Sequence, residues 1–350
     1  MKLKLMTWCC CLLAASTANA YTSFTDDYRA TSDKGYFNIM YGERLNCIGQ
    51  DSSGFDIYEE RRSGMQPGTD YYDQFVQSVV RAFNTLENTV TNKPSRTINI
   101  EVVFTISDAG EQGATADPNW QDRNSSGSSL TFGDLGADGS IAGLSAHVNK
   151  LEYIWKYGQN DTGTQGFYDV RIYYSATTPY SDANASFGSF FVGADAGDYT
   201  QGQYDVETIT LHEMGHALGF HSGYDYTTQT QTMGYSILDL TVSERPNPLP
   251  NGGIDSFFTG ETATALNGGE EVKLTHDRTH TLSPQGLLMA DGTSNPGAMR
   301  DFTELDKAML QDLGWTLTNP IVVPTTPEPS TALLSLLALS GLVARRRRRS

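Results

Sequence analysis

Apolar side chains recur with helical spacing in two stretches of the first half of the chain. Between residues 70 and 88 they repeat about every 3.6 residues, at Tyr72, Phe75, Val76, Val79, Val80, Phe83 and Leu86. A second set lies between 141 and 155, at Ile141, Leu144, Val148, Leu151 and Trp155. The spacing therefore predicts one helix over about 70–88 and another over 141–155.

Alternating apolar and polar positions predict strands between and after these helices. The alternation is clearest at Ile98, Ile100, Val102, Phe104 and Ile106, and it returns at Val170, Ile172 and Tyr174. The segment 186–192 is also strand-like, whereas 245–270 is rich in Gly, Asn and Pro and is predicted to be an exposed loop. Helices and strands that share one body predict an α+β fold.

The segment 212–221 reads His-Glu-Met-Gly-His-Ala-Leu-Gly-Phe-His and has the flanks of a helix. Asp205 is a candidate N-cap, and Gly219 can take the left-handed conformation that ends a helix. On that helix His212 and His216 lie one turn apart, so both imidazoles can bind one Zn²⁺. Glu213 can take a proton from a metal-bound water, which is the chemistry of peptide-bond hydrolysis.

Together with later segments this motif resembles the metzincin zinc proteases, in particular their leishmanolysin-like branch and a group of bacterial secreted metalloproteases. The resemblance covers roughly 70–316, with its specific part at 205–221 and 276–315. It implies a catalytic domain with a mixed twisted sheet, an active-site helix and a C-terminal helix. It also implies a zinc-dependent endopeptidase of protein or peptide substrates, with Glu213 as general base and Met289 as the methionine of a turn beneath the metal.

A catalytic zinc site needs a third protein ligand, and three histidines are candidates. His221 is the tenth residue of the motif, one short of the position where many metzincins carry their third His. His280 is favoured, because it lies nine residues before Met289 and the turn-forming residues 283–286 can fold it back. His276 is the alternative, although a solvated loop explains it equally simply.

The two ends of the chain indicate export. Residues 1–20 combine Lys2 and Lys4, an apolar stretch and an Ala-Asn-Ala cleavage site, which is typical of a secretory signal peptide. At the other end Pro327-Glu328-Pro329, an apolar run at 332–344 and arginines at 345–349 resemble the PEP-CTERM sorting signal of Gram-negative bacteria. That resemblance implies transient insertion in the inner membrane and cleavage by an exosortase-type sorting enzyme, with the body then at the outer surface or outside the cell. A simple C-terminal membrane anchor is the alternative.

These segments predict four regions: the signal peptide at 1–20, an N-terminal segment at 21–69, a catalytic domain at 70–319 and the sorting signal at 320–350. The segment 21–69 is a candidate propeptide. It contains Cys47, the one cysteine outside the signal peptide. In some related proteases a propeptide cysteine ligates the zinc and blocks the site, so Cys47 is either such an inhibitory switch or an inert cysteine in a strand-like segment.

Charge narrows the range of partners. The formal net charge is −17, and removal of Lys2, Lys4 and five C-terminal arginines takes it to −24. So acidic a body does not favour nucleic acid or anionic membranes. Its Asp-rich loops, such as the one with Asp195 and Asp198, make Ca²⁺ a further candidate ion, although no EF-hand pattern is present and solvated loops explain them as well.

The sequence thus predicts a secreted zinc metalloendopeptidase with His212, His216 and His280 as metal ligands and Glu213 as the catalytic base. One alternative is a non-catalytic acidic surface or extracellular-matrix protein whose zinc site is vestigial. Another is a zinc hydrolase that cuts a bond other than the peptide bond, because the metal and its carboxylate do not by themselves define the substrate.

Overall fold

The computed structural model describes residues 29–43, 47–50, 56–58, 68–106, 113–118, 146–147, 151–158, 169–176, 190–198, 204–222, 224–225, 230–231, 235–246, 254–282, 287–290 and 300–323. The helices in these ranges are α1 (Asp70–Thr89), α2 (Val206–Ala217), α3 (Ile237–Leu240), α4 (Glu261–Leu266) and α5 (Glu304–Asp312). The strands are β1 (Arg29–Thr31), β2 (Phe37–Glu43), β3 (Cys47–Gln50), β4 (Asp56–Tyr58), β5 (Ile98–Ile106), β6 (Gly113–Pro118), β7 (Ala146–His147), β8 (Val170–Ala176), β9 (Phe190–Phe191), β10 (Tyr204–Asp205), β11 (Tyr224–Asp225), β12 (Thr230–Gln231), β13 (Tyr235–Ser236), β14 (Val242–Pro246), β15 (Ile254–Phe258) and β16 (Val272–Lys273). The architecture is mixed α+β.

A five-stranded sheet organises the fold, with the strand order β1-β2-β5-β8-β6. The three inner strands are parallel, and β1 and β6 are antiparallel to their neighbours. The predicted strands at 98–106 and 170–174 are confirmed as β5 and β8. Val102 and Val103, on opposite faces of β5, are both fully buried, as expected for an inner parallel strand that is covered on both sides.

Helices α1 and α2 cover one face of this sheet. The periodicity at 70–88 is confirmed as α1, whose apolar stripe includes the fully buried Phe75. The Phe75 ring lies 4.9 Å from that of Tyr174 in β8, measured between ring centroids. The Tyr174 hydroxyl in turn forms a 2.6 Å hydrogen bond with the Thr210 hydroxyl of α2. One tyrosine of the sheet therefore contacts both helices.

The N-terminal strands are part of this body. Strand β2 lies between β1 and β5, and its residues Phe37, Ile39 and Tyr41 are buried in the core. Glu87 of α1 fixes the turn before β2, because its carboxylate accepts hydrogen bonds from the backbone N–H groups of Lys34 and Tyr36, both at 2.9 Å. The folded unit thus includes residues 29–43, upstream of the boundary that the sequence pattern placed at residue 70.

Two other segments differ from the sequence-based prediction. The predicted helix over 141–155 is wrong at residues 146–147, which form β7, paired with β13. Its parts at 141–145 and 148–150 lie outside the described residues. A π-helical turn follows at Glu152–Lys156, and Leu151 and Trp155 are buried as the spacing predicted. The predicted loop at 245–270 is largely ordered, because β14 and β15 form an antiparallel pair and α4 follows.

The C-terminal helix begins and ends as its sequence indicates. Thr303 caps α5 and exchanges hydrogen bonds with Asp306 in a capping box. Gly314 follows the helix with φ +91°, a conformation that favours glycine. Trp315 is then buried, and its indole N–H donates a 2.6 Å hydrogen bond to the Leu218 carbonyl at the end of α2. The helix thereby supports the C-terminal end of α2.

The predicted end segments fall mainly outside the described residues. The signal peptide at 1–20 and the sorting signal beyond residue 323 are not among them, and neither is the side chain of Cys47. In the described part of the chain, none of the helices is both long enough and apolar enough to cross a membrane.

Strand β2 provides a direct test of where the domain begins. We expect a chain that starts at Thr69, the N-cap of α1, to show no cooperative thermal unfolding, because β5 then loses a neighbour and the core loses Phe37, Ile39 and Tyr41. A matched chain that starts at Tyr21 should unfold cooperatively. Circular dichroism of both chains makes the comparison, and equal transition temperatures would contradict the assignment of β2 to the domain.

Candidate metal centre

Helix α2 exposes only its two histidines. Asp205 caps the helix, and its carboxylate accepts a 2.9 Å hydrogen bond from the Thr208 N–H. The same carboxylate forms an ion pair with Arg300 at 2.7 Å. Within Val206–Ala217 every residue is buried except His212 and His216, which are partly exposed. The helix is therefore embedded in the protein on all sides except along the line of these two imidazoles.

The end of α2 brings a backbone carbonyl to His216. Gly219, at φ +123°, reverses the chain, and its N–H donates to the His216 carbonyl at 3.1 Å while the Phe220 N–H donates to the Gly215 carbonyl at 3.2 Å. These two bonds define a Schellman motif. The reversal places the Phe220 carbonyl 2.7 Å from His216 Nδ1.

His280 completes a group of three imidazoles with His212 and His216. One ligand nitrogen from each ring lies within 4.8 Å of the other two. The ring centroids are 4.9 Å apart for His212 and His216, 5.2 Å for His212 and His280, and 4.8 Å for His216 and His280. The three residues that the sequence analysis favoured therefore come together and could hold a metal ion.

The other two candidate histidines lie apart from this group. His221 is buried, and its Nε2 lies 3.0 Å from the Glu152 carboxylate on the π-helical turn. His276 is exposed in the loop that precedes His280. Neither belongs to the group of potential metal ligands in the described part of the chain.

Hydrogen bonds at Nδ1 determine which nitrogen of each helix histidine faces the metal position. His212 Nδ1 lies 2.7 Å from the Leu288 carbonyl, and His216 Nδ1 is bonded to the Phe220 carbonyl. A carbonyl oxygen can only accept, so each Nδ1 carries the proton and each neutral ring has its lone pair on Nε2. Each helix histidine thus offers Nε2 as a metal ligand.

The donor set fits zinc. Two nitrogens bound tetrahedrally to one Zn²⁺ are about 3.3 to 3.4 Å apart, and His212 Nε2 and His280 Nε2 are 3.2 Å apart. Three imidazoles also leave a fourth coordination position for water or substrate, as catalytic zinc sites do. Burial, together with the neighbouring His212 and His280, lowers the pKa of His216 well below its ordinary value, which keeps this ring in the neutral form that binds metals.

A short loop holds His280. The Thr275 N–H donates to the His280 carbonyl at 2.9 Å, and the Thr279 hydroxyl lies 3.0 Å from His280 Nδ1. The Asp277 carboxylate is 3.7 Å from the same nitrogen. Burial raises the pKa of Asp277, but the nearby His280 imidazole and hydrogen bonds from the Thr275 hydroxyl and the Thr279 backbone outweigh burial, and the net effect is a pKa below its usual range. The loop thus places the carboxylate of Asp277 beside the imidazole of His280.

Met289 forms the floor of the group. It is fully buried, and a Cβ at Gly215 would overlap its Sδ. The backbone N–H groups of Leu288 and Met289 donate to the buried carboxylate of Asp306 at 2.9 Å and 3.2 Å. Asp306 therefore caps α5 and also fixes the turn whose Leu288 carbonyl orients His212.

Glu213 directly follows the potential ligand His212 in the chain and is buried, with 6% of its surface exposed. It lies one helical turn after Thr210, whose hydroxyl is hydrogen-bonded to the hydroxyl of Tyr174. Burial raises the pKa of Tyr174 above its usual range, and the negative charge of Glu213 contributes to that shift. Glu213 is therefore a candidate base on the same helix as two potential ligands.

The two other ion-binding hypotheses gain no support. Asp195 and Asp198 are exposed, and the Asp195 carboxylate accepts a 2.8 Å hydrogen bond from the Gly197 N–H of its own turn. They form no group of three potential ligands in the described ranges, so Ca²⁺ stays a prediction. Cys47 lies in β3, which pairs with β4 and not with the central sheet, and its role as a switch likewise stays a prediction.

Sequence reasoning missed the groups that orient the ligands. Two of these groups are the backbone carbonyls of Phe220 and Leu288. Every residue has such a carbonyl, so the sequence does not indicate which ones bind an imidazole. The role of Asp306 as the partner of the turn around Met289 was also missed, because the two lie 17 positions apart in the chain. Gly215 was the one available signal, because a glycine inside a helix often marks a close approach of another group.

Comparisons with protein families, with curated proteins and with solved structures find no match to this chain. The interpretation of the site therefore depends on its own residues. These are three converging imidazoles, the carbonyls that orient two of them and a buried carboxylate on the same helix.

Substitution of two histidines in one loop tests the ligand set. We expect His280→Ala to lose stoichiometric zinc under conditions that saturate the parent protein, because two imidazoles remain where a protein zinc site needs three or more ligands. His276→Ala is the matched control, since His276 lies four residues earlier and is exposed, and it should bind zinc like the parent. Metal analysis after gel filtration measures both; zinc loss in His276→Ala with retention in His280→Ala would reverse the assignment.

Proposed function

We propose that this chain is a secreted zinc metalloendopeptidase. The observation that carries the proposal is the convergence of His212, His216 and His280 beside Glu213, on a helix that is otherwise buried. A single helix provides two ligands and the base, and a separate loop provides the third ligand. The motif, the distal third histidine and the methionine turn support a metzincin-like form of the α+β fold, of the leishmanolysin-like type.

The chemistry divides between the ion and the chain. When bound, Zn²⁺ supplies a Lewis acid that polarises the scissile carbonyl and makes a water molecule more acidic. The three imidazoles would bind the ion through nitrogen lone pairs, and the carbonyls of Leu288 and Phe220 hold two of the rings in place. The Glu213 carboxylate accepts a proton from the attacking water and returns it to the nitrogen of the leaving amine as the C–N bond breaks.

The outer edge of the central sheet offers a place for an extended substrate. Strand β6 is the outermost strand beyond β8, and its backbone packs near α2. In the described part of the chain no strand pairs with its outer side. A peptide that adds to this edge by backbone hydrogen bonds would run beside the metal helix. The strand-like segment 186–192 is described only from residue 190 onward, where Phe190–Phe191 pair with β10, which leads into α2.

The ends of the chain extend the proposal to its location. The segment 1–20 supports export, and the Pro-Glu-Pro segment with its apolar run and arginines supports processing by an exosortase-type enzyme in a Gram-negative bacterium. The body would then act at the outer surface or outside the cell. Its strong negative charge supports protein or peptide substrates over nucleic acid.

Glu213 distinguishes an active enzyme from a vestigial zinc site in a surface or matrix protein. We expect the purified zinc-loaded protein to hydrolyse casein, and Glu213→Gln to lower the rate by about 100-fold to 10,000-fold, because the amide cannot take up the proton of water. Zinc content should be unchanged, since Glu213 is not among the ligands. A peptide-release assay and metal analysis of the same samples measure both quantities.

Glu207→Gln is the matched control for this variant. Glu207 lies in the first turn of the same helix and is also buried, but its carboxylate pairs with Arg81 at 2.9 Å. This substitution should lower stability and leave the hydrolysis rate within a few-fold of the parent. A parent protein that binds zinc but cuts neither casein nor a peptide library would support the non-catalytic alternative or a different substrate. Equal activity of Glu213→Gln would contradict the mechanism.

A further inference from the structure

One carboxylate, that of Asp239, connects the two segments that carry the potential metal ligands. Asp239 lies in α3 and is buried, with 7% of its surface exposed. Its Oδ2 serves its own helix, because it accepts a 2.9 Å hydrogen bond from the Ser236 N–H in a capping box. Its Oδ1 instead accepts from the Ser222 hydroxyl and lies 3.6 Å from Nη1 of Arg278.

These two partners flank the metal site. Ser222 lies two residues beyond Phe220, whose carbonyl orients His216. Arg278 lies two residues before His280. The helix that carries two imidazoles and the loop that carries the third are thus connected through one oxygen atom of Asp239.

The backbone of Arg278 supports a positioning role. Its φ is +63°, and in the described ranges it is the one residue other than glycine with a positive φ. Such a conformation has an energetic cost for a residue other than glycine. Glycine would avoid that cost, so the arginine side chain must compensate for it. The guanidinium is buried and binds the carboxylates of Asp239 and Glu244, which holds the loop of His280 against α3 and β14.

We propose that Asp239 is a positioning residue of the metal centre, which sets the separation between His280 and the helix histidines through Ser222 and Arg278. The inference rests on the proposed metal site, and not on the identity of the substrate. If a neutral side chain replaces Asp239, the buried Arg278 charge loses one of its counter-charges. The loop of His280 can then move away from helix α2. Metal affinity then falls, because a shift of one ligand is enough to weaken a three-ligand site.

The test compares Asp239→Asn with Asp312→Asn. Asp312 is a matched control, since its carboxylate also caps a helix, accepting from the N–H groups of Thr262 and Ala263 in α4 at 3.0 Å and 2.8 Å. Among the described residues its carboxylate forms no hydrogen bond with a segment that carries a potential ligand. Zinc affinity of the full chain is measured by competition with a chromophoric chelator. We expect Asp239→Asn to bind zinc roughly 10-fold to 100-fold more weakly than the parent and Asp312→Asn to bind it equally.

Thermal unfolding with and without zinc separates positioning from general stability. Both variants should melt earlier than the parent without metal. Added zinc should raise the melting temperature of Asp312→Asn as much as that of the parent and that of Asp239→Asn by less, because the metal-dependent increment follows the affinity of the folded state. The visible spectrum of Co²⁺-loaded Asp239→Asn should also differ from that of the parent, since one imidazole is displaced.

Arg278→Gly keeps the test decisive if Asp239→Asn fails to fold. Glycine accepts the positive φ, so this variant removes the ion pairs without adding backbone strain. We expect it to weaken zinc binding by the same factor, and the double variant to bind zinc no more than about 3-fold more weakly than either single variant. Parent-like zinc affinity in Asp239→Asn or Arg278→Gly would overturn the inference. A parent protein that binds no zinc would instead refute the metal site itself.

Discussion

The contact between Met289 and the backbone of Gly215 sets how closely the chain after His280 can approach helix α2. The methionine is fully buried, and the position it faces has no room for a Cβ. Because Gly215 lies between His212 and His216, the distance between helix and turn is fixed at the level of the metal site. The Thr281 N–H donates a 2.9 Å hydrogen bond to the Met289 carbonyl, so the residue after His280 is bonded directly to the methionine turn.

Contacts from outside helix α2 also orient the potential ligands. The imidazoles of α2 are held by carbonyls that lie outside the helix, one in the turn at its end and one in the turn of Met289. Buried carboxylates stabilise the elements around them: Asp306 binds the methionine turn, and Asp239 lies between the helix exit and the His280 loop. These hydrogen-bonded turns bring together His216 and His280, which are 64 positions apart in the chain.

Local patterns in the sequence predicted much of this arrangement. The cap of α2 at Asp205 and its end at Gly219 depend on a few neighbouring residues, and the structure confirms them. The choice of His280 over His276 and His221 needed the methionine turn, which is a longer-range signal. What could not be predicted depends on distant partners: the place of β2 inside the sheet, the strand at 146–147, and the pairing of Asp239 with Arg278. Pairing across such distances has no periodicity that a single sequence can reveal.

X-ray absorption at the zinc edge tests the central claim most directly, because it counts the imidazoles around the ion without reference to any substrate. The purified protein, loaded with one equivalent of Zn²⁺, should show three imidazole nitrogens and one oxygen ligand at about 2.0 to 2.1 Å. A spectrum with two imidazoles or fewer, or a protein that retains no stoichiometric zinc, would contradict a metal centre built from His212, His216 and His280.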